Sequence, residues 1–229
     1  MINTGDVVRR SDAGLLSTLG WTDAAGTPSF CLEGSLFNAG TVIQWLRDGL
    51  QIIDQAPQVN ELARSVPDSG GVMLVPAFTG WGTPHWDPQA RGVLVGLTRD
   101  SGRGHIARAA LEGIALSVAT LVELAEQALG SGLGELAVDG GAAASDPLLQ
   151  AQADCTGLTV RRPASLESTA RGVALFAGLQ AGVISDLEQL ATGRRDCAEL
   201  FHPQMDASQR NRWRARWQDA VSRSLGWHG

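Results

Sequence analysis

Hydrophobic and polar positions along the chain switch between a helical and a strand period, and the switches predict most of its elements. Between positions 105 and 129, Ile106, Ala110, Ile114, Val118, Leu121, Ala125 and Leu129 recur at intervals of three and four. That spacing puts one apolar stripe on a long helix. A shorter stripe of Leu36, Gly40, Ile43 and Leu46 predicts a helix over 34–50, with Ser35 near its start. Residues 14–33 predict a hairpin, turning at Ala25-Gly26-Thr27-Pro28. Apolar runs at 71–78 and 92–97 predict strands on either side of a loop rich in Gly and Pro.

In the second half a strand at 135–141 runs into a glycine pair, and a helix follows from Asp146-Pro147 to about Cys155. Asp at the cap and Pro at the first helical position mark its start. Next come a strand over 158–163 and a helix from Ser168 to Ala181, stopped by Gly182. Strand–helix–strand–helix over 135–182 predicts parallel strands joined by right-handed crossovers, and so an α/β fold. Trp213, Trp217, Val221 and Leu225 repeat every fourth position and predict a last helix docked on the core. No repeat or linker divides the 229 residues, which read as one domain or most of one.

Charge and composition then remove whole classes of function. Eighteen basic against twenty-four acidic side chains give a net charge of −6, which argues against nucleic acid or an anionic membrane as main partner. The arginines interleaved with tryptophan over 210–217 scatter around a helix and make no basic face. Lysine and tyrosine are absent, so a P-loop lysine, a Schiff-base lysine and a tyrosine nucleophile are excluded within the chain. Cys31, Cys155 and Cys197 lie too far apart for a disulfide framework or a zinc site. His85, His105, His202 and His228 form no HExxH, and no metal site is expected. The apolar stretch 106–122 is broken by Arg108 and Glu112, and the N-terminus has no apolar signal core. The expectation is a cytoplasmic protein without membrane insertion.

GxGxxG, GxSxG and Walker A motifs are all missing. The sharpest local feature is Val138-Asp139-Gly140-Gly141-Ala142-Ala143-Ala144-Ser145-Asp146-Pro147. A strand ends, two residues without side chains leave the backbone open, and a capped helix presents free N–H groups. This suits an anion or nucleotide, and equally a plain tight turn.

Taken together, several segments resemble the C-terminal half of the FGGY family of carbohydrate kinases, and within it the glycerol-phosphorylating members. They are Leu32-Glu33-Gly34 with Ile43-Gln44-Trp45-Leu46-Arg47-Asp48; Val75-Pro76-Ala77-Phe78-Thr79-Gly80 with Trp86-Asp87-Pro88 and Ala90-Arg91-Gly92; and Gly92 through Glu112, which fits the second family signature. The 138–147 stretch resembles the family's adenosine motif, and the Arg/Trp tail its last helix. The resemblance covers nearly all of residues 1–229, read as one C-terminal, nucleotide-binding domain.

It implies a ribonuclease H-like, actin-like ATPase fold, with ATP and Mg²⁺ as cofactors and glycerol as acceptor of the phosphate. Carried over by position, nucleotide binding falls on Gly40, Gln44, Gly141 and Ser145, the last standing where relatives commonly carry Asn. His85 and Arg171 are further departures. The resemblance also implies that a first domain, and the first strands of this one, precede Met1 in relatives, leaving the N-terminal edge of this fold incomplete. Those parts would carry the catalytic base and the metal ligands, so no catalytic residue is expected in this chain. It is expected to be inactive alone, to form homo-oligomers, and to expose an unpaired strand edge near 135–141. The alternatives are a non-catalytic nucleotide-binding or subunit-contact module, or the same domain of a xylulose or gluconate kinase.

Overall fold

The computed structural model describes residues 1–23, 26–184 and 198–227, so Ala25, Cys197 and His228 lie outside the described residues. The chain opens with three short strands, β1 (Ile2–Gly5), β2 (Leu16–Thr22) and β3 (Pro28–Glu33), in an antiparallel sheet ordered β1-β3-β2. β2 and β3 are the expected hairpin, with Leu16 opposite Glu33 and Thr22 opposite Pro28. Asp23 closes its turn by accepting the Gly26 and Thr27 N–H groups.

The first helix begins later than its stripe predicts: α1 is Gly40–Asp48. Residues 34–39 are held instead by a distant loop. Ser35 and Thr83 exchange two hydrogen bonds of 3.0 Å, and buried Asn38 donates to Thr79 Oγ1 at 3.2 Å. These bonds offer the backbone an alternative to the helical ladder. α2 (Gln58–Arg64) follows, then β4 (Met73–Val75) and β5 (Val93–Val95), an antiparallel pair with Leu74 opposite Leu94. Both strands are shorter than their apolar runs. Pro76 has no N–H to continue one ladder, and Gly96, at φ +81°, turns the other away.

α3 (Arg103–Leu129) is the long helix the periodicity predicts, ended by Gly130 at φ +69°. It packs against α2, β4 and α4 (Asp146–Thr156) and organises the largest apolar cluster. By length and composition α3 passes as a bilayer span, yet 67% of its most apolar window is buried inside the protein, as in a core helix. β6 (Glu135–Ala137) and β7 (Thr159–Arg162) pair in parallel across α4, as the strand–helix–strand pattern predicts. β8 (Glu199–Phe201), which the pattern did not suggest, adds antiparallel to β7. Three residues with an exposed Leu200 leave too little alternation to read. α5 (Ser168–Gln180) stops before Gly182 and buries none of its residues. α6 (Ala207–Ser222) buries Trp217, Ala220 and Val221, the face its four-residue repeat predicts.

Candidate functional site

The glycine turn is built by β6 and β7 together. The Val138 N–H still reaches Arg161 O at 3.0 Å, after which Gly140, at φ +81°, turns the chain and donates to Leu166 O at 2.9 Å. Only glycine takes that conformation without strain. Gly141–Ala144 then form one 3₁₀ turn, whose first N–H groups have no carbonyl behind them within the helix. Gly141 is exposed, and a Cβ built on it would meet nothing within 4 Å.

Ser145 behaves differently from the free hydroxyl that its position in the motif implies. It is 5% exposed and caps α4, accepting the Leu148 N–H at 3.3 Å while its own hydroxyl donates to Asn60 Oδ1 on α2 at 2.5 Å. The cap is therefore Ser145 rather than Asp146, with Pro147 at the second helical position. Asp146 faces outward to Arg162 at 2.9 Å and Arg64 at 3.2 Å.

Arg162 is the residue that sequence reasoning missed. It is ion-paired to Asp146 and Glu199, lies 5.1 Å above the Phe201 ring, and donates to Ala143 O at 3.0 Å. One guanidinium thus holds the far end of the glycine turn to β7 and β8. Its strand pattern alone gives no sign of this.

On the other element, Gly40 opens α1 and Gln44 follows one turn later, both exposed, while Val42, Ile43 and Leu46 are buried on the opposite side. A Cβ on Gly40 would also meet open space. Ala39 and Ala142 both pack on the main apolar cluster and, with Asp139, line one groove. Gly40 and Gly141 are the chain neighbours of these two alanines, and Ser145 is buried. Open backbone on two sides and unpaired N–H groups fit the ribose and phosphates of a nucleotide.

The other motif residues are structural. Asp87 of the Trp-Asp-Pro segment accepts the Gly226 and Gln89 N–H groups, each at 2.7 Å, which hold its carboxyl below the usual range. Burial lowers the His85 pKa, against a smaller opposite effect of Asp87. Glu112 is buried, which raises its carboxyl pKa despite Arg108 at 2.8 Å. Among the described residues, no group of three or more His, Cys, Asp and Glu comes together as a metal would need.

Comparison with known proteins gives this site its context. The chain belongs to the FGGY family of carbohydrate kinases: the model of that family's C-terminal domain matches residues 1–181. Its fold is the actin-like ATPase fold of those kinases.

Within the family, the chain is 51% identical over 227 residues to the glycerol kinase of Aromatoleum aromaticum, covering 99% of this chain and 45% of the relative. Glycerol kinase 2 of Thermotoga maritima is 46% identical with the same coverage. The crystal structure of Plasmodium falciparum glycerol kinase with ADP superposes with a TM-score of 0.88 at 32% identity, over 98% of this chain and 44% of that one. A xylulose kinase from Lactobacillus acidophilus, at 22% identity and TM-score 0.72 over 97% of this chain and 43% of that one, shares the fold. The chain thus spans less than half the length of the curated relatives it matches.

Proposed function

We propose that this chain is the C-terminal, nucleotide-holding domain of a glycerol kinase, a cytoplasmic enzyme that passes the γ-phosphoryl group of ATP to a terminal hydroxyl of glycerol. The observation that carries this reading is 51% identity to a glycerol kinase over 227 residues, against 22% to a xylulose kinase of the same fold. Residues 1–229 belong to one such domain without its first strands, since α6, beyond the matched 1–181, buries Trp217 in the same core.

Gly141 presents its backbone N–H to the phosphates, Gly40 leaves room for the adenosine, and Gln44 hydrogen-bonds it. Ser145 acts indirectly: capping α4 and bonded to Asn60, its side chain fixes the turn that Gly141 belongs to. Mg²⁺ would accompany the ATP phosphates, but the described carboxylates do not gather to hold it. Metal ligands and the base for the hydroxyl proton are assigned to polypeptide outside this chain. Phosphoryl transfer depends chiefly on positioning and charge stabilisation, and this chain supplies only one wall of that arrangement.

A coupled kinase assay tests the reading. The chain joined to a complete upstream half should phosphorylate glycerol in preference to xylulose, gluconate and ribulose, and the 229-residue chain should show no turnover. A preference for another sugar, or glycerol turnover by the 229 residues alone, would refute it.

A further inference from the structure

Arg162 of β7 reaches three other elements with one side chain. It donates to Ala143 O in the glycine turn at 3.0 Å, pairs with Asp146 at the start of α4 at 2.9 Å, and pairs with Glu199 of β8. The side chain is only 15% exposed, so these charge-assisted bonds are made largely out of water.

The bond to Ala143 fills a place that the backbone leaves open. A carbonyl running into a helix would accept the N–H of the residue four positions on, but that residue is Pro147, which has none. Ala143 is 3% exposed, and a buried carbonyl without a donor is costly. Arg162 supplies the donor. It thereby fixes the peptide two residues beyond Gly141, in the same 3₁₀ turn.

Charge points the same way. Asp146 follows the turn directly, and Glu199 stands opposite Arg162 in the β7–β8 register. Without Arg162, Asp146 would keep only the exposed Arg64 at 3.2 Å, and Glu199 would keep no ion pair among the described residues. Carboxylates left uncovered there would repel a phosphate held by the turn.

We infer that Arg162 is a positioning residue for the nucleotide: its guanidinium sets the Gly141–Ala144 turn and screens Asp146 and Glu199 from the phosphates. The inference rests on the reading of that turn as phosphate-holding and does not depend on which sugar is phosphorylated.

The test uses the chain joined to a complete upstream half, as wild type, Arg162→Met and Arg162→Lys. Met keeps an unbranched stem and loses the charge and the donors. Lys keeps the charge but cannot serve Ala143, Asp146 and Glu199 together. Arg162→Met should raise KM for ATP about tenfold, with kcat and the KM for the sugar within about twofold of wild type. Arg162→Lys should recover part of this, to about threefold above wild type. By calorimetry, Arg162→Met should weaken ADP about tenfold and adenosine less than about twofold, because the disturbance lies at the phosphate end. Adding Asp146→Asn to Arg162→Met should restore part of the ADP affinity, since it removes a carboxylate that Arg162 covers.

An unchanged KM for ATP in Arg162→Met would overturn the inference, and a fall in kcat alone would mark a merely structural role. Equal losses for ADP and adenosine would overturn it too. If Arg162→Met does not fold, Arg162→Lys decides, and a KM for ATP equal to wild type in that variant refutes the inference. A wild type that binds no ADP would remove the site reading and the inference with it. Preference for a sugar other than glycerol would refute the glycerol assignment alone, and the same rise in KM for ATP, measured with that sugar, would support the inference.

Discussion

Gly113 lies in the middle of α3 where the helix crosses β4, and replacing it by alanine should destabilise the protein although alanine is the better helix former. A Cβ at this position would sit 2.1 Å from the carbonyl oxygen of Leu74. Leu74 is 2% exposed and lies in the middle of β4, opposite Leu94 of β5, so its carbonyl is strand backbone and not a flexible side-chain end that can swing away. The helix or the strand must move by about 1 Å, through a core that already includes Leu111, Ile114 and Val75. Overpacking of this kind costs about 1–3 kcal/mol, with a rigid backbone neighbour at the upper end. Helix propensity returns about 1 kcal/mol. The net is a loss of about 2 kcal/mol, or about 4–8 °C in Tm at this chain length. Gly172 is the control. It lies in exposed α5 with nothing within 4 Å of its Cβ, so Gly172→Ala should leave Tm unchanged or raise it slightly. Thermal denaturation by circular dichroism reads both variants. A Gly113→Ala protein melting at or above the wild-type temperature would show that α3 and β4 do not approach so closely.

Glu112 leads to a prediction about pH. Burial raises its carboxyl pKa in the folded state against the pull of Arg108, so folding stability from this group is full at low pH and falls as pH rises through the folded value. Glu112→Gln should match wild type near pH 4 and be the more stable protein near pH 8, by urea unfolding; a difference independent of pH would refute this. Trp217 is 2% exposed, 6.0 Å from the Trp81 ring and bonded to Thr120 Oγ1 at 3.3 Å. Trp217→Ala should cost about 3–5 kcal/mol in denaturant titration, whereas Trp217→Phe should retain most of the stability. Cys155 is buried, its thiol donates to Ala115 O at 3.2 Å, and burial pushes its pKa up. Site-resolved mass spectrometry should find it unalkylated by iodoacetamide until the chain unfolds; rapid modification of the native protein would contradict its packing.

The local elements were legible in the amino-acid sequence because their signals fit inside a single window. The α3 stripe, the β2–β3 hairpin, the parallel β6–α4–β7 unit and the buried face of α6 each follow from periodicity and turn residues a few positions apart. The glycine turn after β6 was also visible, since a strand, two glycines and a helix start are adjacent in the chain.

What the window does not contain, the tertiary structure decided. α1 starts at Gly40 because Ser35 and Asn38 bond to Thr83 and Thr79, more than forty positions away. The Ser145 hydroxyl is held inside by Asn60, 85 positions upstream, and the glycine turn is braced by Arg162 from a neighbouring strand. Gly113 looks like a weak point in a helix until β4 is laid across it. Periodicity reports which face of an element is apolar. It carries no record of which distant backbone or hydroxyl that face will meet, and those meetings set the caps and the close approaches of this domain.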